Sequence, residues 1–424
     1  MSLIIFIITS ICLICGIILK PKIYKFNTYY IIAAIGAITM IIFRQITFKE
    51  IYNSLFNNPL ISPIKILVLF FSMTFLSIVC DNLGFFNFLA YKSTKICKNS
   101  QYKLFTILFI LICLVTIFTS NDIIILTFTP FIIYFTKRSK INPIPYLIME
   151  FSAANTASMM FIVGNPTNIL ISLSNNISFF EYLKNMWLIT TLTSIFLYIL
   201  LIIIFHKSLN EKIEINDLDS EPKLNKIPVI VSLLHLMVAT ILLAISNYIN
   251  MEMYLITLIF SLSLLIFLCV YILITKKEKQ VLYNTMLRLP YALIPFLISM
   301  FILVEALNVN GYTLKLSNLL SKMNNSYSYG ISSYLMCNVM NNIPMSVLYS
   351  NVLSYNASTK AIYATIIGSN IGAYLTPLGA LAGIMWLNIL KIYNIDFKFK
   401  HFIKYGLIIS IPIILFSLTI LYIL

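Results

Sequence analysis

Charge is what this chain has least of. Asp, Glu, Lys and Arg together make up 10% of 424 residues, whereas 60% are hydrophobic. A soluble domain carries about 25% charged residues over its surface, so that class is excluded. Acids are scarcer still, 14 against 29 Lys and Arg, for a net charge of +15. An excess of that sign suits nucleic acid only when the basic residues gather into one patch. Here they are scattered through short loops, so no nucleic-acid partner is expected. Histidine occurs three times (His206, His235, His401), too dispersed for a catalytic or metal cluster. The seven cysteines sit mostly inside apolar runs, and the lone Cys12-x-x-Cys15 has no second pair. No metal set and no cofactor is expected from them. The G-x-x-x-x-G-K-[ST] phosphate loop is missing, so ATP can enter only through a separate ATPase subunit. Strand-like alternation is missing as well. Unbroken apolar runs at 104–118 and 255–274 exclude a membrane barrel.

What is present, from end to end, is apolar sequence long enough to cross a hydrocarbon core of about 30 Å. The expected fold is an all-α polytopic membrane protein. The run at 3–19 reads as a first crossing rather than a removed signal peptide, having no preceding basic residues and no clear cleavage site. Further crossings are expected near 28–43, 62–82 and 185–206, with an amphipathic stretch at 84–98. Between them lie a hairpin at 104–136, broken at Thr119-Ser120-Asn121-Asp122, and a broken helix at 142–173. After a polar linker at 207–226 the pattern returns. Crossings near 227–247, 251–274 and 289–306 precede an amphipathic stretch at 311–322. A hairpin at 328–354, a broken helix at 361–390 and a last crossing at 403–424 follow.

The register between the halves is close. Asp81 and Glu305 are 224 positions apart, Asn121 and Asn341 are 220 apart, and Asn155 and Asn370 are 215 apart. Gly164 follows Asn155 by nine residues, and Gly379 follows Asn370 by nine. Interrupted apolar segments at matching positions point to a transporter built from internal repeats. The expected units are an N-terminal repeat at 1–206 and a C-terminal repeat at 227–424. Five crossings per half would make the second repeat inverted. The distribution of basic residues agrees, because most fall in the loops this topology places in the cytoplasm. Arg44, Lys49, Lys65, Lys184, Lys315, Lys322 and Lys360 remain outside. Both termini are then external, and the 104–136 segment must enter and return on one side.

Four segments place polar residues at membrane depth. The first holds Ser120, Asn121 and Asp122, and the second Asn155 and Thr156 with Gly164, Asn165, Thr167 and Asn168. The third holds Asn341 and Asn342, and the fourth Ser369, Asn370 and Thr376. Gly and Pro stop a helix and leave free N–H and C=O groups at the break. Amide and hydroxyl side chains add donors and acceptors without a charge to desolvate. Singly, such residues are helix-packing glue. Together they describe a midplane binding site for a small inorganic or organic anion, with carbonyls left for a cation. Among acids, Asp122 and Glu150 are the candidates for coupling to a proton or sodium ion. A charge held there costs about 2.5–3.5 kcal/mol even on lenient scales. Asp122 also admits a structural hydrogen-bonding role, and Asp81 and Glu305 a hinge or capping role.

The stretches Ser120-Asn121-Asp122, Ala154-Asn155-Thr156-Ala157-Ser158, Gly164-Asn165-Pro166-Thr167-Asn168, Asn341-Asn342-Ile343-Pro344 and Gly368-Ser369-Asn370-Ile371-Gly372, with Leu375-Thr376-Pro377-Leu378-Gly379, resemble the ion transporter superfamily. The nearest likeness is to its citrate-transporter-like, arsenical pump membrane protein branch. Sodium/proton antiporters and sodium-coupled divalent-anion symporters are relatives. The resemblance spans about 60–390. It implies a scaffold and a transport domain, opposed re-entrant hairpins, a homodimer in the cell membrane and elevator-type movement. Dicarboxylate relatives hold sodium and carboxylate at Ser-Asn-Thr tips. Here Asp122 stands in the Thr position, and the second tip reads Met340-Asn341-Asn342. Those departures fit arsenite or antimonite efflux better than carboxylate uptake. Cys337, just before the second tip, is a thiol that could meet a thiophilic cargo. Sodium/proton antiport and citrate or dicarboxylate permeation remain alternatives, and an integral-membrane enzyme is the reading from another class.

Overall fold

A computed structural model describes residues 1–19, 28–57, 63–96, 100–211, 224–246, 248–323, 326–355 and 357–424. Most of the polar linker expected at 207–226 lies outside these residues. Everything regular among them is helical. Among the described residues seven helices are long and apolar enough to cross a membrane, by length and composition. They differ in how much protein surrounds them. Pro63–Asn82 has 78% of its apolar window buried, whereas Met253–Thr275 has 28%. The first is an interior helix, and the second shows most of its surface to the surroundings. Both are apolar all round, as expected of helices whose outer solvent is lipid.

Packing runs between the halves. Pro63–Asn82 lies on Met253–Thr275, and Leu293–Val309 lies on Thr28–Ile42. The long helices Phe179–Leu209 and Phe399–Ile423 lie side by side, with Phe196 and Phe416 stacked at 4.3 Å. At one end an ion pair joins the halves. Arg288 Nη2 stands 2.6 Å from Asp81 Oδ2, and Arg288 Nη1 donates to Asn82 Oδ1 at 2.6 Å. Asp81 is thus engaged across the halves, which sequence reading did not foresee.

Around the polar segments the chain forms two pairs of helices and two interrupted helices. The first pair is Gln101–Phe118 and Asn121–Arg138, parted only by Thr119 and Ser120. The second is Ser326–Met340 and Asn342–Leu353, parted by Asn341. Ile144–Ala157 and Pro166–Ser174 make the first interrupted helix, with a short 3-10 turn at Ile162–Gly164. Thr359–Gly372 and Leu381–Ile392 make the second. Two of the four restarts are capped by an asparagine side chain, Asn165 and Asn341. Asn165 accepts the Thr167 N–H at 3.2 Å, and Pro166, which has no N–H to leave orphaned, opens the helix. Each pair then reaches across. Asn121–Arg138 packs on Leu381–Ile392, and Asn342–Leu353 packs on Pro166–Ser174. Lys137 closes the first of these contacts by donating to Tyr393 O at 2.6 Å, beyond the last turn of Leu381–Ile392.

Candidate functional site

The interrupted helices meet at their breaks, and Asn370 is the hub. Its Nδ2 donates to Asn168 Oδ1 at 2.7 Å and to Ile366 O at 2.9 Å. Its Oδ1 accepts from Asn165 Nδ2 at 2.8 Å, with Ser158 Oγ 3.0 Å away. Asn168 spends its own N–H groups on Ser158 O at 2.8 Å and Phe161 O at 3.2 Å. Ser369 Oγ lies 3.3 Å from Thr167 Oγ1, and Thr156 Oγ1 lies 3.4 Å from Tyr374 OH. Asn155, Thr156, Ser158, Thr167, Asn168, Ser369 and Asn370 all show 0% exposure, and Asn165 shows 1%. At that depth an unmade bond costs about 1–3 kcal/mol, which is why the amides are paired so completely. Gly164 and Gly379 allow the close turns. A Cβ at Gly164 would stand 2.3 Å from Ser158 O, and one at Gly379 would stand 2.6 Å from Gly372 O.

Each helix pair brings its tip to this crossing. Asn121 Nδ2 donates to Asn155 Oδ1 at 2.9 Å, while Asn155 donates back to Phe151 O at 2.8 Å. On the other side Asn341 Nδ2 donates to Leu378 O and the Asn342 N–H to Gly379 O, both at 3.0 Å. Asn341 adopts φ 75° and ψ 153°, a backbone state otherwise left to glycine. Asn338, which opens the polar stretch Asn338–Pro344 in the sequence without being singled out as a site residue, fastens this tip. Its Oδ1 accepts from Thr376 N at 3.1 Å and Thr376 Oγ1 at 2.7 Å, and its Nδ2 donates to Gly372 O at 3.0 Å. Its position three residues before Asn341, on one helix face, was the available signal. Ser158 was likewise visible in the Ala154–Ser158 stretch without being singled out.

Three side chains at the tips remain unengaged. The Ser120 hydroxyl, the Asp122 carboxylate and the Asn342 carboxamide have no hydrogen-bond partner among the described residues. Ser120 is 6% exposed and Asn342 is 3% exposed. None of the three is among the fully enclosed polar atoms that lack a partner, and Asp122 is half-buried, so their polar atoms face open space rather than packed protein. Glu150 behaves differently. It is fully buried, and its Oε1 accepts from Thr129 Oγ1 at 2.7 Å while Oε2 accepts from Trp386 Nε1 at 3.3 Å. Its carboxyl therefore braces three elements, and both of its bonds point away from the asparagine crossing. Cys337 is also buried. Its Sγ lies 3.1 Å from Tyr334 O and would touch any Cβ at Gly372, so it faces helix backbone. Cys12 and Cys15 are exposed free thiols on the first helix. Among the described residues there is no group of three His, Cys, Asp or Glu placed to hold a metal.

Comparison with known proteins follows the same lines. A citrate transporter family model matches residues 14–358. An arsenical pump membrane protein of Escherichia coli is 24% identical over 367 residues, covering 82% of this chain and 84% of the relative. An arsenical pump membrane protein of Yersinia enterocolitica is 23% identical over 368 residues, with the same coverage. A relative in Bacillus subtilis (strain 168), whose name refers to the same pump, is 27% identical over 379 residues, again covering 82% and 84%.

Proposed function

This chain belongs to the citrate transporter family, and we propose that it moves a small oxyanion, first of all arsenite or antimonite, outward across the cell membrane. As a multi-pass membrane protein of a transporter family it carries an anionic substrate rather than transforming one. The observation that carries the finer reading is the contrast at the crossing. The asparagines there satisfy one another, and Ser120, Asp122 and Asn342 beside them are left with unused hydrogen-bonding capacity. A small cargo bearing hydroxyl or oxide groups would complete those three. The full-length relatives named for arsenical pumps support the choice of cargo.

Asp122 is the first candidate for the coupling ion, proton or sodium, because its carboxylate is unengaged. Glu150 is the second. The reciprocal packing of helix pairs and interrupted helices favours two inverted repeats at 1–206 and 227–424 with a linker at 207–226. In that arrangement both tips are re-entrant and both termini external. A homodimer, and a separate ATPase subunit that would energise efflux, complete the proposal. The alternative is sodium/proton antiport or sodium-coupled citrate or dicarboxylate uptake.

The deciding experiment is flux in reconstituted vesicles with arsenite, antimonite, citrate and succinate, under imposed proton or sodium gradients. Arsenite flux driven by one gradient is expected. Citrate or succinate flux without arsenite flux would replace the proposal by the alternative, and sodium/proton exchange alone would make the chain an antiporter.

A further inference from the structure

The first helix of each tip-forming pair is seated differently on its neighbours. Ser326–Met340 lies backbone to backbone on Thr359–Gly372. A Cβ at Gly368 would stand 2.0 Å from Ser333 Oγ and 2.3 Å from Gly330 O, and one at Gly372 would stand 2.3 Å from Cys337 Sγ. Tyr334 OH and Ser410 Oγ, 2.7 Å apart, tie the same helix to Phe399–Ile423. Small residues are what permit so close an approach between membrane helices. Gln101–Phe118 also packs on Ile144–Ala157, with the Phe105 and Tyr146 rings 5.7 Å apart, but it is not sealed along its whole length. Between it, the end of Ile144–Ala157 and the long helix Phe179–Leu209 lies a cleft of about 290 Å³.

The floor of this cleft includes Ala157 and Thr190, each 1% exposed, with Cys113 and Ser194 on opposite walls. Its mouth is formed by Ile110, Leu114 and Ile195, which are 52–53% exposed. An enclosed water needs two to four polar partners. The lining offers the buried Thr190 Oγ1 and the Ser194 hydroxyl, too few for a space that would hold several waters, because the Thr106 and Tyr198 hydroxyls are bonded to each other at 2.7 Å and Thr191 donates to Trp187 O at 2.7 Å. Water is therefore a poor occupant. The mouth opens on the exposed face of a 31-residue helix with the length and composition of a membrane crossing, so hydrocarbon is what borders it.

We propose that the cleft is a lipid site, in which one acyl chain of a bilayer phospholipid enters between Gln101–Phe118 and Phe179–Leu209 and rests against Ala157. Ala157 follows Thr156 directly, so the acyl chain reaches the back of the polar crossing. The acyl chain fills the space left beside this helix, which stays tied to Phe179–Leu209 by the Thr106–Tyr198 hydroxyl bond, so lipid exchange in the cleft sets how readily the helix shifts during transport. The glycine-sealed helix leaves no such space on Thr359–Gly372. The functional half of this inference rests on the transporter reading, whereas the site itself does not.

The test uses the full-length protein in vesicles of a phosphatidylcholine bearing a mid-chain diazirine on one acyl chain, irradiated and mapped by mass spectrometry. Adducts are expected at Ala157 and Thr190 in addition to Ile110, Leu114 and Ile195. Adducts confined to the last three, meaning surrounding lipid only, would overturn the site. Ser194→Phe fills the cleft and should lower floor labelling at least tenfold, keep mouth labelling, and slow transport several-fold at unchanged KM. Floor labelling that persists in this variant also overturns the site. Cys113→Phe makes the same test from the opposite wall if Ser194→Phe does not fold. Labelling is read without flux, so floor adducts in a protein that transports nothing would sink the transporter reading and leave the lipid site standing.

Discussion

The carboxamides of Asn168 and Asn370, 202 positions apart in the chain, meet at 2.7 Å with the Asn370 Nδ2 as donor. Asn165 returns the bond to Asn370 Oδ1. Each amide can face only one way, because turning any of them sets like atoms against like. Asn370→Ala should therefore destabilise the protein by about 1–3 kcal/mol for each stranded partner. Asn370→Asp should be worse than Ala, since it points an acceptor at Asn168 Oδ1 and Ile366 O. Thermal unfolding in detergent ranks the variants, and an Asp variant as stable as Ala would refute the amide orientation.

Asp122 offers a cleaner test of coupling. Its own N–H donates to Asn121 Oδ1 at 2.9 Å, and this bond does not involve the carboxylate. Asp122→Asn should leave the tip folded and abolish the dependence of flux on the ion gradient. Coupling that survives the substitution removes Asp122 from that role.

Glu150 should respond in stability rather than in coupling. Glu150→Ala strands the Thr129 hydroxyl and the Trp386 indole N–H, at about 1–3 kcal/mol each. Glu150→Gln keeps an acceptor for one donor and should cost less. Trp386→Phe keeps the ring packed on Phe151 and Phe402 but loses the N–H. Melting temperatures of the single variants and of Glu150→Gln/Trp386→Phe should be non-additive, the mark of a direct contact. A Glu150→Gln protein that melts normally yet transports without a gradient would move the coupling role to this residue.

The strained backbone at Asn341 separates stability from function. A residue held in this state costs about 1–3 kcal/mol, and glycine adopts it freely. Asn341→Gly relieves the strain but deletes the bond to Leu378 O and the cap that Oδ1 makes with the Ile343 N–H at 3.3 Å. A melting temperature equal to or above the parent, with transport reduced at least tenfold, is expected. Reduced stability together with normal flux contradicts the assignment.

These contacts differ in how far the sequence announced them. Asn121, Asn155, Asn341 and Asn370 were legible because amides, glycines and prolines inside apolar runs have few structural uses in lipid. The helix breaks at these residues follow the same interruptions, whereas the helices Phe48–Tyr52 and Lys279–Arg288 fall between the expected segments. Partners were another matter. Nothing in the order of residues relates Glu150 to Trp386, or Asp81 to Arg288, because those pairs depend on how distant helices cross. Gly368 and Gly372 read as helix breakers, whereas in three dimensions they are the surface on which Gly330, Ser333 and Cys337 rest. Asn338 hid in plain view, since a single Asn in a helix is indistinguishable from packing glue until its Thr376 contact is seen.

The asparagine crossing also has an electrical meaning. A membrane potential does work only on charge, about 2.3 kcal/mol per elementary charge for each 100 mV. Asn155, Asn165, Asn168, Asn341 and Asn370 bring dipoles and no net charge to the crossing of the interrupted helices. Whatever rearrangement carries them, the field pulls on them little. The voltage dependence of flux would then count the charges on the cargo, the coupling ion, Asp122 and Glu150. A current–voltage curve of this protein thus reads its passengers and its two acids, and is blind to the asparagines.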